Sequence, residues 1–173
     1  MARIFDALTP RRLYAGMALT SIALLGFGMY LQHVVGLEPC PMCIVQRYAL
    51  ILVALFGAIA AALPGPKAHR WMAVLLLLIA GFGAFVAARQ SWLQWYPPEI
   101  ATCGRDFYGM IEDLPLQRAV PMIFRGSGDC TKVDWTFLGG SIANWSFLWF
   151  VAYSLTSLAI LWGKVAAVRK TGF

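Results

Sequence analysis

The sequence predicts an all-α integral membrane protein, a bundle of four membrane-spanning helices with both termini on the cytoplasmic side. Of its 173 residues, 60% are hydrophobic and only 13% are charged, which is more apolar surface than a soluble domain of this length can bury. The apolar residues fall in four runs, and basic residues cluster in the segments between alternate runs. These observations exclude an ordinary soluble domain, a disordered chain and, despite the net charge of +6, a nucleic-acid-binding protein.

Each of the four apolar runs is long enough to cross about 30 Å of hydrocarbon as a helix. The predicted spans are residues 13–31, 44–63, 71–88 and 145–162. None of them alternates apolar and polar residues as a membrane β-barrel strand does, so only helices fit. We predict one membrane domain over residues 1–173, with two loops on the outer face at about 32–43 and 89–144.

The first span is predicted to be retained and not cleaved as a signal peptide. Arg3, Arg11 and Arg12 precede it, as in a signal peptide, but the apolar run exceeds the usual 7–15 residues and no small-residue cleavage site follows. The segment before Cys40 superficially resembles a lipoprotein cleavage box. Glu38 and Pro39 stand there where small residues are needed, which disfavours that interpretation.

Basic residues predict the orientation of the bundle. The N-terminal segment, the short loop at 64–70 and the C-terminal tail hold eight basic residues and one acid, Asp6, a net charge of +7. The other two loops hold five basic and seven acidic residues, a net charge of −2, or −1 if Arg47 at the start of the second span is counted with them. The positive-inside rule places the basic segments in the cytoplasm, so the cysteine-bearing loops face outward. In a bacterium that side is the oxidising periplasm.

Small residues at every fourth position predict close contacts between helices. They form two sets, Ala54, Ala58 and Ala62 in the second span, and Ala80, Ala84 and Ala88 in the third. Alanine is also common in membrane spans without any such role, so these positions test the packing interpretation.

Four cysteines carry the chemistry that the sequence indicates. Cys40 and Cys43 form a CxxC pair at the outer edge of the second span, and Cys103 and Cys130 lie in the large outer loop. Four cysteines allow three disulfide pairings. A CxxC pair is close enough to close on itself, so Cys40–Cys43 with Cys103–Cys130 is the natural resting arrangement.

Other uses of these cysteines fit less well. A c-type haem requires His after the second cysteine of the pair, where this chain has Ile44. A zinc site usually takes two closely spaced pairs, but Cys103 and Cys130 are 27 positions apart. A further alternative is that the cysteines form two inert structural disulfides. The small ring that a CxxC disulfide closes argues against this, because it favours reversible redox chemistry.

Cys43 is predicted to lie in the first turn of a helix, where backbone N–H groups and the helix dipole stabilise a thiolate. Arg47 lies four residues later, on the same helix face, and adds positive charge at the membrane edge. There it would meet the polar head of a lipid-soluble acceptor. Alternatively, Arg47 extends to lipid headgroups without a chemical role.

The sequence does not determine the roles of three further features. Apolar residues recur between 111 and 124 in the large outer loop and predict either a short helix on the membrane surface or a face that contacts a partner protein. His33, at the outer end of the first span, lies near the CxxC pair. His69 falls in the cytoplasmic loop and is predicted to be an ordinary solvated residue.

The sequence resembles the DsbB family, quinone-dependent thiol oxidases of the bacterial inner membrane. The resemblance runs through nearly the whole chain. The matching motifs are Gln32-His33, Pro39-Cys40-Pro41-Met42-Cys43 followed by Arg47, Leu93-Gln94-Trp95-Tyr96-Pro97, Ala101-Thr102-Cys103, Val120-Pro121, Ser127-Gly128-Asp129-Cys130 and Phe137-Leu138-Gly139. Four cysteines in this order on four spans are a specific signature, whereas CxxC alone is weak.

The resemblance implies a route for electrons. A reduced DsbA-type oxidase, a thioredoxin-like periplasmic protein, would attack the Cys103–Cys130 disulfide at Cys103. Cys130 would then attack Cys40 and leave Cys43 as a thiolate facing the quinone, with Arg47 beside it. Two electrons would pass to ubiquinone or menaquinone from the membrane pool. All four cysteines are thus predicted to be catalytic, with Cys43 and Arg47 at the quinone and with no metal or haem.

One departure from the family pattern concerns the third span. Family members carry a histidine near its outer end, at about the position of Gln90 in this chain. A proton-handling role of that histidine therefore does not transfer, and protons would reach the quinone through water.

Two other function classes remain as alternatives. A structural four-span protein would use its disulfides only to hold the outer loops. A relay that carries electrons outward would need cysteines within the spans or facing the cytoplasm, and the predicted topology leaves none there.

Overall fold

The predicted four-helix membrane bundle is confirmed. A computed structural model describes residues 9–97 and 128–163. Its elements, in chain order, are α1 (Pro10–His33), α2 (Pro41–Ala62), α3 (Pro66–Trp95), the short α4 (Gly128–Thr131), β1 (Thr136–Phe137), β2 (Gly140–Ser141) and α5 (Ile142–Leu161). Among the described residues, α1, α2, α3 and α5 are long and apolar enough to cross a membrane. The cytoplasmic location of both termini stays a prediction.

Proline and serine determine where the long helices begin. Pro10, Pro41 and Pro66 are each the first residue of a helix, a position where proline lacks only an N–H that would have no helical partner. Ser141 precedes α5 and its hydroxyl oxygen accepts a hydrogen bond from the backbone N–H of Asn144. The apolar runs start about one turn after these residues, so all four predicted spans begin three to five residues late.

Helix α3 differs most from its predicted span, residues 71–88. It runs from Pro66 to Trp95, so the helix continues for seven residues after the predicted span ends at residue 88. The helix continues through the polar residues Arg89, Gln90 and Gln94 because its backbone hydrogen bonds persist, the last joining Tyr96 N–H to the Trp92 carbonyl. Hydropathy locates the part of a helix that crosses hydrocarbon, and α3 extends beyond that part.

The long helices pack mainly with their sequence neighbours. Helix α1 packs on α2, α2 on α3 and α3 on α5, whereas α1 and α5 touch only slightly. The hydrogen bond between the hydroxyl groups of Thr20 and Tyr153, 3.0 Å apart, joins α1 to α5. Tyr14, Val53, Leu76 and Phe150 are fully buried between the helices. Large apolar side chains face outward, as expected where hydrocarbon and not water surrounds the bundle.

The predicted alanine contacts are only partly present. Ala80 is fully buried, but Ala58, Ala62 and Ala88 are exposed. The residues that α3 buries lie on a different stripe of the helix, which includes Ala73, Leu76, Ala80, Gly83 and Ala87. Periodicity of small residues alone does not indicate which of several stripes faces a neighbour.

His69 is not the solvated loop residue that the sequence predicted. It lies in the first turns of α3, where its ring stacks on Tyr14 with the ring centroids 5.6 Å apart. The Tyr14 hydroxyl donates a hydrogen bond to the His69 backbone carbonyl at 2.6 Å. On the same end of the bundle, Arg11 Nε donates to the Ala61 carbonyl at 2.7 Å. These contacts join α1 to the ends of α2 and α3.

A small hairpin, absent from the predictions, leads into α5. Strands β1 and β2 pair antiparallel, with Phe137 opposite Gly140. The two turn residues, Leu138 and Gly139, have φ angles of 49° and 79°, as a type I′ turn requires. Trp145 Nε1 donates a hydrogen bond to the Phe137 carbonyl at 3.0 Å and fixes the hairpin on α5.

The closest approach of α3 to α5 occurs at Gly83. A methyl group added there would overlap the Phe150 ring, whereas one added at Gly81 would meet nothing within 4 Å. We expect Gly83→Ala to lower the free energy of unfolding by about 1–3 kcal/mol through overpacking. Gly81→Ala is the matched control and should be neutral or stabilising, since alanine favours helix. Thermal unfolding of the two variants in detergent tests this, and equal melting temperatures would contradict the packing.

Candidate functional site

Two thiols and the start of α2 form the base of the site. Cys40 precedes α2 as its N-cap residue, and its Sγ accepts a hydrogen bond from the Cys43 backbone N–H at 3.3 Å. The prediction that Cys43 lies in the first turn of a helix is confirmed. The Sγ atoms of Cys40 and Cys43 are 2.8 Å apart, and both residues are free thiols in this structure. The predicted Cys40–Cys43 disulfide stays a prediction.

A third thiol, Cys130, lies against this pair. Cys130 in α4 is fully buried and belongs to the same apolar cluster as Cys40, Met42, Val86 and Leu93. The side chains of Cys130 and Cys40 are hydrogen-bonded. Cys103 lies outside the described residues, so the predicted Cys103–Cys130 disulfide stays a prediction. The structure thus brings together three of the four predicted catalytic cysteines from two separate parts of the chain.

The surroundings of Cys40 favour its neutral form. The hydrogen bond with Cys130, then that with Cys43 and burial raise the pKa of the Cys40 thiol well above its ordinary value. In this reduced arrangement Cys40 is therefore held as a neutral thiol.

Two buried glutamines, not predicted as site residues, contact the thiols. Gln90 on α3 donates from Nε2 to Cys40 Sγ at 3.3 Å and to Cys43 Sγ at 3.2 Å. Gln46 on α2 donates from Nε2 to Gln90 Oε1 at 2.6 Å. Gln46 lies three residues after Cys43, a spacing that places both on one side of α2. The departure at Gln90 from the histidine that the family resemblance led us to expect was the available signal.

Arg47 joins α2 to α1 at the site. Its guanidinium donates hydrogen bonds to Gln32 Oε1 and, over 3.1 Å, to the Gly28 backbone carbonyl. Arg47 and Cys43 line the same cavity, which agrees with the predicted helix face. His33 is exposed at the end of α1 and does not line this cavity.

The cavity has a volume of about 520 Å³, within the range of small-molecule sites. Most of its surface is apolar, and Cys40, Cys43, Gln90 and Arg47 are among its polar lining residues. Its apolar lining includes Leu24, Phe27, Leu31, Leu50, Trp145 and Trp149. The segment from Lys132 to Trp135 also lines it, with the Trp135 ring 5.5 Å from that of Phe27 between centroids.

Gln94 holds the end of α3 against the segments around α4 and α5. Its Oε1 accepts a hydrogen bond from the Ser141 hydroxyl at 2.6 Å, and its Nε2 lies 3.5 Å from the Lys132 carbonyl oxygen. Since Lys132 follows α4 directly, these contacts help to hold Cys130 near the CxxC pair. The arrangement as a whole suits thiol–disulfide exchange next to an apolar cavity.

Comparisons with known proteins agree on one family. The model of the DsbB family, described as disulfide bond formation protein DsbB, matches residues 10–160. Disulfide bond formation protein B of Acidovorax sp. (strain JS42) is 71% identical over 154 residues, which cover 88% of this chain and 87% of that protein. The protein of the same name from Albidiferax ferrireducens is 66% identical over 158 residues, 91% of each chain. A third, from Azoarcus sp. (strain BH72), is 53% identical over 156 residues, 89% of this chain and 93% of the other.

The contact between Cys40 and Cys130 predicts a disulfide that can be trapped. In a Cys43→Ser, Cys103→Ser variant, mild oxidation should join Cys40 to Cys130 in most molecules, since no other thiol remains. Peptide mapping by mass spectrometry without reductant detects the link. The matched variant Cys40→Ser, Cys103→Ser, which keeps Cys43 and Cys130, should cross-link more slowly. Equal rates in the two variants would contradict the described contact.

Proposed function

This chain belongs to the DsbB family of disulfide bond formation proteins, and from this premise we propose that it reoxidises a DsbA-type periplasmic thiol oxidase and passes the electrons to membrane quinone. The observation that carries the proposal is the burial of Cys130 against Cys40 at the wall of an apolar cavity. That contact offers a path between a loop thiol and the CxxC pair, and the cavity offers room for a lipid-soluble acceptor.

The proposed route begins with a thiolate of the partner oxidase. It attacks Cys103 of a Cys103–Cys130 disulfide, forms a mixed disulfide and releases Cys130 as a thiolate. Cys130 attacks Cys40 of the Cys40–Cys43 disulfide, and the electron pair of the broken bond goes to Cys43. The burial of Cys130 against Cys40 supports this direction, because Cys40 is then the sulfur of the pair that Cys130 meets.

Two further thiol–disulfide exchange steps then leave both electrons on the CxxC pair. The second thiolate of the partner attacks its own mixed-disulfide sulfur, releases Cys103 and leaves the partner oxidised. Cys103 attacks Cys130, which restores Cys103–Cys130 and leaves Cys40 and Cys43 reduced. Removal of two electrons and two protons from that pair re-forms the Cys40–Cys43 disulfide and completes the cycle.

The cavity fits the head of a quinone. A quinone, either ubiquinone or menaquinone, supplies a two-electron, two-proton acceptor when bound. Apolar walls from α1, α2 and α5 suit a flat ring, and Arg47 gives the cavity a cationic hydrogen-bond donor. Gln32 and the Gly28 carbonyl hold the guanidinium in place. Arg47 would therefore orient a carbonyl oxygen, and the apolar walls would exclude water.

The proposed location is the bacterial inner membrane, with the site on the periplasmic side. The start of α2, the end of α3 and Cys130 lie at one end of the bundle, since Gln90 contacts Cys40 and α3 contacts α4. Arg11, Lys67 and Arg70 belong to the opposite helix ends. Positive charge at that end supports a cytoplasmic orientation for it.

The proposed activity predicts quinone reduction that depends on cysteines. Purified chain mixed with a reduced DsbA-type oxidase and a soluble quinone should lower the quinone absorbance, with one quinone consumed per disulfide formed. Replacing Cys43 by Ser should abolish the turnover, since the pair can then no longer close. Turnover in that variant at the wild-type rate, or none in the wild type, would contradict the proposal.

Arg47 offers a separate test of the cavity. Arg47→Gln removes a charged hydrogen-bond donor, so the KM for quinone should rise about tenfold or more. Exchange between the partner oxidase and Cys103, measured by trapping the mixed disulfide, should stay at the wild-type rate. Arg70→Gln removes one positive charge from the exposed opposite end and is the matched control. Equal loss of both steps in Arg47→Gln would instead assign Arg47 a folding role.

A further inference from the structure

The two glutamines at the site form a chain of hydrogen bonds that ends on the reacting sulfurs. Gln46 and Gln90 are buried, with exposed fractions of 4% and 3%. They come from different helices, α2 and α3, at the level of the CxxC pair. A buried amide needs partners for its donors and its acceptor. The partners of Gln90 are one amide group and two sulfur atoms.

The contact with Gln46 orients the Gln90 amide. Gln46 Nε2 donates to Gln90 Oε1 at 2.6 Å, so the Gln90 carbonyl is occupied on the side away from the sulfurs. The Gln90 amino group then faces Cys40 and Cys43, 3.3 and 3.2 Å from their Sγ atoms. Turning this amide over would oppose two N–H₂ groups and direct an oxygen at the sulfurs, where it would repel a thiolate.

We propose that Gln90 is a catalytic residue that stabilises the Cys43 thiolate through a fixed amide N–H, and that Gln46 is the positioning residue that holds Gln90 in this orientation. The inference rests on the proposed function for its place in the cycle. When Cys130 attacks Cys40, the Cys40–Cys43 bond breaks and its electron pair stays on Cys43 Sγ. The amide donates to that anion and neither takes up nor releases a proton.

An amide donor differs from a titrating one in a measurable way. Thiolate accepts hydrogen bonds more strongly than thiol, so the donor favours the anion over the neutral form. A carboxamide keeps the same charge across the physiological range of pH, whereas an imidazole changes its charge near pH 6.5. Stabilisation of Cys43 by Gln90 should therefore be independent of pH, and a histidine at this position should make it depend on pH.

The test measures the reactivity of Cys43 without partner or quinone. The full chain carrying Cys40→Ser, kept reduced in detergent, is treated with iodoacetamide, and alkylation of Cys43 is followed by mass spectrometry. Adding Gln90→Leu should slow alkylation at pH 7 about tenfold, because about ten times less of Cys43 would then be in the thiolate form. Gln46→Leu should give a smaller loss, since the amide of Gln90 is then free to turn.

The decisive comparison is between Gln90→His and the protein that keeps Gln90, both carrying Cys40→Ser. The alkylation rate of Cys43 in Gln90→His, divided by the rate in the protein that keeps Gln90, should rise severalfold from pH 8 to pH 5.5, because the imidazole becomes a charged donor. A ratio that is constant with pH would overturn the proposal, and it would do so even if Gln90→Leu failed to fold. In turnover with quinone, Gln90→Leu should lower kcat.

Thr20→Val is the matched control for the loss of a hydrogen bond between helices. Thr20 bonds Tyr153 far from the sulfurs, so this variant should unfold at a lower temperature but keep wild-type alkylation. If Gln90→Leu behaved like Thr20→Val, with reduced stability and unchanged alkylation, Gln90 would have only a structural role. Because the alkylation assay contains neither partner nor quinone, it can fail or succeed independently of quinone reduction.

Discussion

The site depends on how α2 begins. A helix starting at the edge of a membrane must satisfy its first backbone N–H groups, and here a sulfur atom accepts one of them. Cys40 Sγ receives the Cys43 N–H, which places the two CxxC side chains together and fixes the direction of α2. Pro41 removes one further N–H that would need a partner. The same short segment therefore ends a loop, starts a membrane helix and places the two thiols against α3 and α4.

Hydropathy and helical spacing predict local features of the site, but they do not predict contacts between distant segments. The four spans, the place of Cys43 in a first turn and the common wall of Cys43 and Arg47 follow from these local patterns. The approach of Cys130 to Cys40, 90 residues away, was implied only by the resemblance to the family, because no local pattern encodes that contact. The helices are longer than the predicted spans, since polar residues such as Gln94 continue a helix after the apolar run has ended.

Gln90 illustrates a different limit of sequence reasoning. The resemblance to the family predicts a histidine near this position, so the sequence alone indicates only the loss of a proton-handling role. The structure places its amide between Gln46 and the two sulfurs, a set of contacts specific to a carboxamide with both a donor and an acceptor group. The sequence does not give these contacts, because they depend on where the side chains around Gln90 lie. The segment at 111–124, with its two predicted roles, lies outside the described residues and both roles stay predictions.

The slight contact between α1 and α5 has a mechanical consequence for the cavity. Three of the helix interfaces are extensive, but the two helices that flank the cavity on its remaining side share little packing and the Thr20–Tyr153 hydrogen bond. Separating them would cost few of the contacts that hold the bundle together, and surrounding lipid tails can solvate the apolar surfaces exposed. Among the described residues, the side between α1 and α5 is therefore the one where opening the bundle would break the fewest contacts between helices.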